Sequence, residues 1–172
     1  MSKEQNPMTH PKIEKATVNI CVGSDVERLK KAEKVIKLLT NRKPVRTISK
    51  IMNKDWGIRK GDTIGCKVTL RGGEAENFLK RAFKAKGDSV AEYSFDSQGN
   101  LSFGILDYTD FEGLKYDPNI GTIGLDVSIT LERSGYRIKH RKRKRSKIPH
   151  RHQIDPDEAM NFLTKKLDIK VV

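Results

Sequence analysis

Between Arg133 and Ile154 the chain carries ten Lys or Arg and no Asp or Glu. Within that stretch Lys139, His140, Arg141, Lys142, Arg143, Lys144 and Arg145 follow one another without an apolar residue. Such a run cannot bury itself and repels itself when free, so it needs an anion to become ordered. The chemistry open to it is neutralisation of a polyanion: each phosphate met releases counterion, and six contacts would give a slope of log K against log salt of about −4 to −5. The residues expected to do this are Arg137, Lys139, Arg141, Lys142, Arg143, Lys144, Arg145 and Lys147. A flexible arm or a localisation signal is the alternative, and strand and helix patterns on both sides of the run weigh against it.

Bond-making chemistry lacks its constellations. Asp155 and Asp157 read as helix capping, Asp107 and Asp110 sit among turn residues, and neither pair comes with a recognisable nucleophile. The GxGxxG, GxxxxGK[ST] and GxSxG patterns are absent. His140, His150 and His152 could be imagined as metal ligands, but the positive field around them opposes a cation. No enzyme activity, metal or cofactor is expected. Cys21 and Cys66 are single and far apart, which suits buried free thiols better than a disulfide or a CxxC motif.

The formal net charge of +13 is concentrated in the basic segment, so the remaining residues carry a surplus of only three. No apolar run approaches the roughly 18 residues needed to cross a bilayer, and Met1 to Thr9 lacks the apolar stretch of a secretory signal. A cytoplasmic chain with no membrane partner is expected. Its 172 residues fit one domain, with a short polar tail over 1–11 and the basic segment over 133–153.

The elements that must position these groups follow from periodicity. Lys15 to Val22 alternates, with Ala16, Val18, Ile20 and Val22 on one face and Lys15, Thr17, Asn19 and Cys21 on the other. Ser24 and Glu27 form a capping box for a helix that buries Val26, Leu29, Ala32, Ile36 and Leu39 and ends near Thr40. Val45 to Ile48 is extended, and Thr63 to Arg71 alternates again with Lys67, Thr69 and Arg71 outward. A helix over about Glu74 to Lys86 carries Phe78, Leu79, Ala82 and Phe83 as its stripe. Glu92 to Phe95 and Asn100 to Ile105 suggest a hairpin, and Asp107 to Thr122 a projecting loop. Leu125 to Leu131 is a strand with Leu125, Val127, Ile129 and Leu131 in the core. Asp155, Pro156 and Glu158 cap a last helix with Ala159, Phe162, Leu163 and Leu167 buried. The sum is an α+β fold: a mostly antiparallel sheet with helices packed on one face.

The uncovered face would then show Lys15, Thr17, Asn19, Lys67, Thr69 and Arg71. Lys and Arg neutralise phosphate while Thr and Asn offer short hydrogen bonds to phosphate and ribose oxygens. Plain solvent suits the same alternation equally well. A basic loop over Ser49 to Gly61 holds Ile51, Met52 and Trp56 beside Lys50, Asn53, Lys54 and Arg59. Its apolar groups either tuck back onto the domain or meet a second RNA surface.

Five strings carry a resemblance: KIEKATVNICVG (Lys12 to Gly23), RKPVRTISK (Arg42 to Lys50), GIRKGDTIGCKVTLRG (Gly57 to Gly72), GNLSFGI (Gly99 to Ile105) and KYDPNIGTIGLDV (Lys115 to Val127). In this order they resemble the large-subunit ribosomal protein family called L five, or L eleven in eukaryotes. GYRIKHRKRKRSKIPHRH followed by a capped helix looks like its archaeal and eukaryotic branch. The resemblance implies a structural protein of the ribosome's central protuberance. It would bind 5S ribosomal RNA through its sheet, touch large-subunit ribosomal RNA and neighbouring central-protuberance proteins, and reach the elbow of P-site tRNA. By position Asn19 and Thr69 match the 5S contact. Arg42 stands where bacterial relatives commonly have glutamine, and Lys43 follows it. The loop over 49–60 matches the tRNA-facing loop, and Tyr108 to Asn119 the region that bridges to a small-subunit head protein. A free-standing RNA-binding module is the alternative, against which no aromatic-rich RNP1-like strand is present.

Overall fold

The computed structural model describes Asn6 and residues 8–172. Of the polar tail expected over 1–11, residues 1–5 and 7 lie outside the described residues, and Pro11 already belongs to the first strand. The elements are β1 (Pro11–Cys21), α1 (Val26–Thr40), β2 (Val45–Ile48), β3 (Thr63–Leu70), α2 (Gly72–Lys86), β4 (Ser89–Val90), β5 (Leu101–Ile105), β6 (Leu125–Arg133), α3 (Pro156–Leu167) and β7 (Lys170–Val171). Five strands make an antiparallel sheet in the order β2-β3-β1-β6-β5, and β4 pairs with β7 in parallel as a separate ribbon. This is the α+β sheet expected from the alternating strands.

Strict alternation sets which side is dry. Ala16, Val18 and Ile20 of β1, Cys66, Val68 and Leu70 of β3, and Leu125, Val127, Ile129 and Leu131 of β6 are all buried. They meet Leu29, Ala32, Val35, Ile36 and Leu39 of α1 and Ala75, Phe78, Leu79, Ala82 and Phe83 of α2. Phe83 stacks on Phe103 of β5 with ring centroids 4.8 Å apart. Each such side chain contributes about 1.5–3 kcal/mol by leaving water, so a one-residue slip of register would be prohibitive. One irregularity is built in: a bulge at Glu14 separates the Ile13↔Leu131 and Lys15↔Thr130 pairs and restores the parity that sends Ala16 inward.

Several local expectations are corrected. α1 is capped by Asp25 rather than by a Ser24 box: the Asp25 carboxylate accepts from the N–H groups of Glu27 at 2.8 Å and Arg28 at 3.3 Å. An anionic acceptor also gains from the helix dipole. With Val26 as the first helical residue its side chain turns outward, 57% exposed, and Val35 takes the core position instead.

The hairpin over 92–105 is reduced to one antiparallel bridge, Phe95↔Leu101, closed by the Asp96 N–H donating to the Asn100 carbonyl at 2.9 Å. Glu92–Ser94 is a 3-10 turn, and a tight Asp96–Asn100 turn follows, in which Asp96 Oδ1 accepts from the N–H groups of Gln98 and Asn100. Gly99 has φ +72°, and a Cβ there would meet Ala159 Cβ at 2.9 Å, so only glycine lets the turn tuck under α3.

The segment over 107–122 does not project. Tyr108, Phe111, Ile120 and Ile123 are buried, and the Tyr108 hydroxyl accepts from the Asp117 N–H at 3.0 Å. Aromatic area outweighs the turn residues around it.

Asp155 does cap α3, but without a side-chain bond, and Glu158 forms no capping box. Only Cys66 is a buried thiol, because Cys21 ends β1 on the exposed side. Burial pushes the Cys66 thiol up to about 11.

Candidate nucleic-acid interface

On the side away from α1 and α2 the strand registers line up two central rows. One runs Val45, Lys67, Asn19, Asp126, Gly104, and the next Thr69, Thr17, Ser128, Ser102. Lys67 and Thr69 are exposed, while Thr17 and Asn19 are half-buried in the middle of the sheet. Among the described residues the side chains of Thr17, Asn19, Lys67 and Thr69 make no hydrogen bond to protein, which leaves their donors free. A surface of unpartnered hydroxyl, amide and ammonium groups can hydrogen-bond phosphate and ribose oxygens without first breaking an internal contact.

The face is wider and less uniformly basic than β1 and β3 alone suggest. Ser102 and Ser128, with hydroxyls 2.8 Å apart, extend it across β5 and β6, and Asp126 and Glu132 add carboxylates. The signal was present in the alternation of Asp126, Ser128, Thr130 and Glu132 along β6. At the sheet's other end Lys15 and Arg71 both approach the bulged Glu14, at 3.8 and 3.3 Å, so part of their charge is already neutralised.

Arg42 reaches the rim rather than the face. It lines a shallow depression with Thr69, Arg71, Gly73 and Glu74, and its guanidinium grips the Glu74 carboxylate at 2.6 Å. That hydrogen-bonded pair raises the Arg42 pKa further. Lys43 is not brought to this site. It lines a groove between α1 and β2 with Lys30, Lys34 and Lys37, where Arg46 holds Glu33 at 2.5 Å and lowers its pKa.

The basic loop beyond β2 is a closed ribbon, bridged at Asn53↔Ile58 and tied at its base by Ser49 and Asp62 at 2.8 Å. Its apolar groups do not tuck back: Ile51 is 76% exposed, Met52 59% and Trp56 74%. Lys50, Lys54 and Arg59 are exposed beside them, and Asn53 is half-buried. Together with Val45 and Ile48 of β2 they form an apolar and cationic surface, the kind on which unstacked bases or another macromolecule can lie.

The two ends of the basic segment are held to the domain by protein contacts. Arg133 is buried, bonded to the Glu158 carboxylate and to the Gln153 carbonyl at 3.0 Å, so it is structural rather than free. The Tyr136 hydroxyl donates to the His152 carbonyl at 3.0 Å, and burial raises its pKa. His152 Nε2 lies 2.9 Å from the Ser134 carbonyl. This clasp brings the two ends of the segment together and leaves His140 to Lys147 exposed, with Arg137 exposed and Lys139 half-buried over the Tyr136 ring at 4.8 Å. The signal missed was Glu158, whose place in a capping motif concealed its role as partner to Arg133.

Two family profiles divide the chain between them: ribosomal protein L5 over residues 6–59, and the C-terminus of the same ribosomal family over residues 63–170. The chain is 50% identical to the large ribosomal subunit protein uL5 of Methanococcus maripaludis over 172 residues, covering 98% of this chain and 95% of the relative. It is 47% identical to the protein of the same name from Sulfurisphaera tokodaii over 168 residues, covering 97% and 95%.

Proposed function

The chain belongs to the ribosomal protein L5 family, and from that premise we propose that its open sheet face holds 5S ribosomal RNA. It is a structural, non-enzymatic constituent of the large ribosomal subunit and a component of the cytoplasmic ribosome. The observation that carries the finer reading is the pair of central rows in which Thr17, Asn19, Lys67 and Thr69 present donors that no group among the described residues uses. Lys15, Arg71 and Arg42 flank that patch as cations already leaning on Glu14 and Glu74, so they would exchange a carboxylate for a phosphate on binding. Lys43, on the far groove, would serve a different RNA strand. The clasped segment, through Arg137, Lys139, Arg141, Lys142, Arg143, Lys144, Arg145 and Lys147, would take large-subunit ribosomal RNA.

The exposed ribbon with Lys50, Ile51, Met52, Asn53, Lys54, Trp56 and Arg59 would face the elbow of P-site tRNA. The exposed remainder of 108–119, chiefly Tyr116 and its neighbours, would bridge to a protein of the small-subunit head. Neighbouring central-protuberance proteins complete the set of partners. No chemical step is required of the chain: counterion release supplies affinity and placed donors fix RNA geometry.

The test is the Asn19→Ala and Thr69→Ala double variant, titrated with purified 5S RNA. Losing two hydrogen bonds to charged or polar RNA groups should weaken binding by about 30-fold or more, with Tm nearly unchanged because neither side chain is bonded in the free protein. Binding that survives intact, or a Tm that falls in parallel with affinity, sinks the reading.

A further inference from the structure

The clasp does more than present cations. Between the folded segment and the edge of the sheet lies an open cleft of about 620 Å³, within the range of roughly 300–1,000 Å³ that small-molecule sites occupy. Its lining includes the apolar groups of Leu131, Tyr136, Ile148 and Pro149, the first two buried, together with Lys139 and Lys147. Two polar groups, Gln98 and His150, stand at the edge, both exposed. The Gln98 carboxamide makes no hydrogen bond among the described residues, whereas the Asn100 side chain beside it is consumed by Asp96 and by the Leu131 N–H. The walls are fixed by bonds of their own, since Gln153 Nε2 donates to the Ile148 carbonyl and the Arg133–Glu158 pair holds the stem. A partly apolar cleft with a free amide and an imidazole at its rim and two ammonium groups in its lining matches one ligand chemistry closely: a planar heterocycle attached to phosphate.

We propose that this cleft takes a single unstacked nucleotide of ribosomal RNA, its base against Ile148 and Pro149 and its phosphate on Lys139 and Lys147. Gln98 and His150 would hydrogen-bond the edge of the base, the mode by which proteins read nucleotides splayed out of loops and bulges. The proposal deepens the RNA-scaffold reading and is separate from the donor patch of Thr17, Asn19, Lys67 and Thr69, none of which lines the cleft. It assigns the basic segment a pocket that reads a base where charge alone would only follow a backbone. An acidic peptide could satisfy the lysines but would leave the apolar lining and the amide without partners.

The test uses the full chain and a short single-stranded RNA of mixed sequence as probe, followed by NMR on isotope-labelled protein. Saturable shifts at Ile148 and Tyr136 are expected. The Gln98→Ala, His150→Ala double variant, both positions being exposed, should weaken them about tenfold, while Lys80→Ala, at an exposed position of α2, leaves them unchanged. An abasic oligonucleotide of equal length and a glutamate octapeptide serve as controls. Shifts as strong with either control as with the RNA mean that the site reads charge only and overturn the proposal, as does the absence of any saturable shift. The 5S titration of the Asn19→Ala, Thr69→Ala variant is read independently, so a failed scaffold reading and an empty pocket give different results.

Discussion

Replacing the four outermost cations of the clasped segment isolates electrostatics from fold. In the variant Lys142→Ser, Arg143→Ser, Lys144→Asn, Arg145→Ser every altered side chain is exposed. Asparagine is chosen at position 144 because Lys144 has φ +51°, a left-handed conformation that Asn tolerates well. The anchors of the loop, Arg133, Tyr136 and His152, are untouched. Exposed substitutions of this kind each change stability by about 0.5 kcal/mol or less, so the four together move Tm by about 8 °C at most in a chain of this size. Binding is different. Each lost phosphate contact removes about 0.7–0.9 from the slope of log K against log salt, so four contacts make the slope shallower by about 3. Filter binding to 5S RNA and to large-subunit ribosomal RNA, each from low to moderate KCl, reads the slope directly. An unchanged slope with both RNAs would refute the assignment of this segment to RNA. A Tm drop well beyond about 8 °C would instead mean that the cations hold the fold.

Glu158→Gln should strand the buried Arg133 charge without a counter-ion, lowering stability by about 2–3 kcal/mol and Tm by about 5–10 °C. An unchanged melting temperature would contradict the role given to that pair. Cys66 makes stability fall at high pH: its folded pKa of about 11 lies above the ordinary 9.0, so above pH 9 the unfolded chain releases a proton that the folded chain keeps. Up to about 3 kcal/mol is lost between pH 9 and 11, and denaturant melts of Cys66→Ala should lack that part of the alkaline decline; identical pH profiles would exclude it.

The regular elements were legible in the sequence because burial and periodicity agree there. Ala16, Val18 and Ile20, or Phe78, Leu79, Ala82 and Phe83, admit one face and one period. Legibility failed where a polar residue had two suitors. Ser24 and Asp25 both suit a cap, and only the geometry of two donors 2.8 and 3.3 Å away decides for the carboxylate. Glu158 reads as a capping acid until Arg133 is brought alongside it from 25 residues away. Tyr108 and Phe111, spaced among Asp and Pro, carry no periodic signal, yet they fill the end of the core. For the candidate site the outward alternation put Thr17, Asn19, Lys67 and Thr69 on one face, and the strand register places them side by side there. The long-range register that brings Asp126, Ser128 and Ser102 beside them had no local trace. The apolar groups of the 49–61 loop left two outcomes open, and closure of that loop by its own backbone turned them outward.

The strand at the middle of the sheet comes before all of its sheet partners in the chain, and this constrains when the face can be completed. β1 pairs with β3 on one side and with β6 on the other, Thr17 facing both Thr69 and Ser128. Closing that second pairing must wait until most of the polypeptide has left the ribosome that makes it, and such distant contacts are slow to form. The two rows that cross β1 are therefore complete only once β6 has been made.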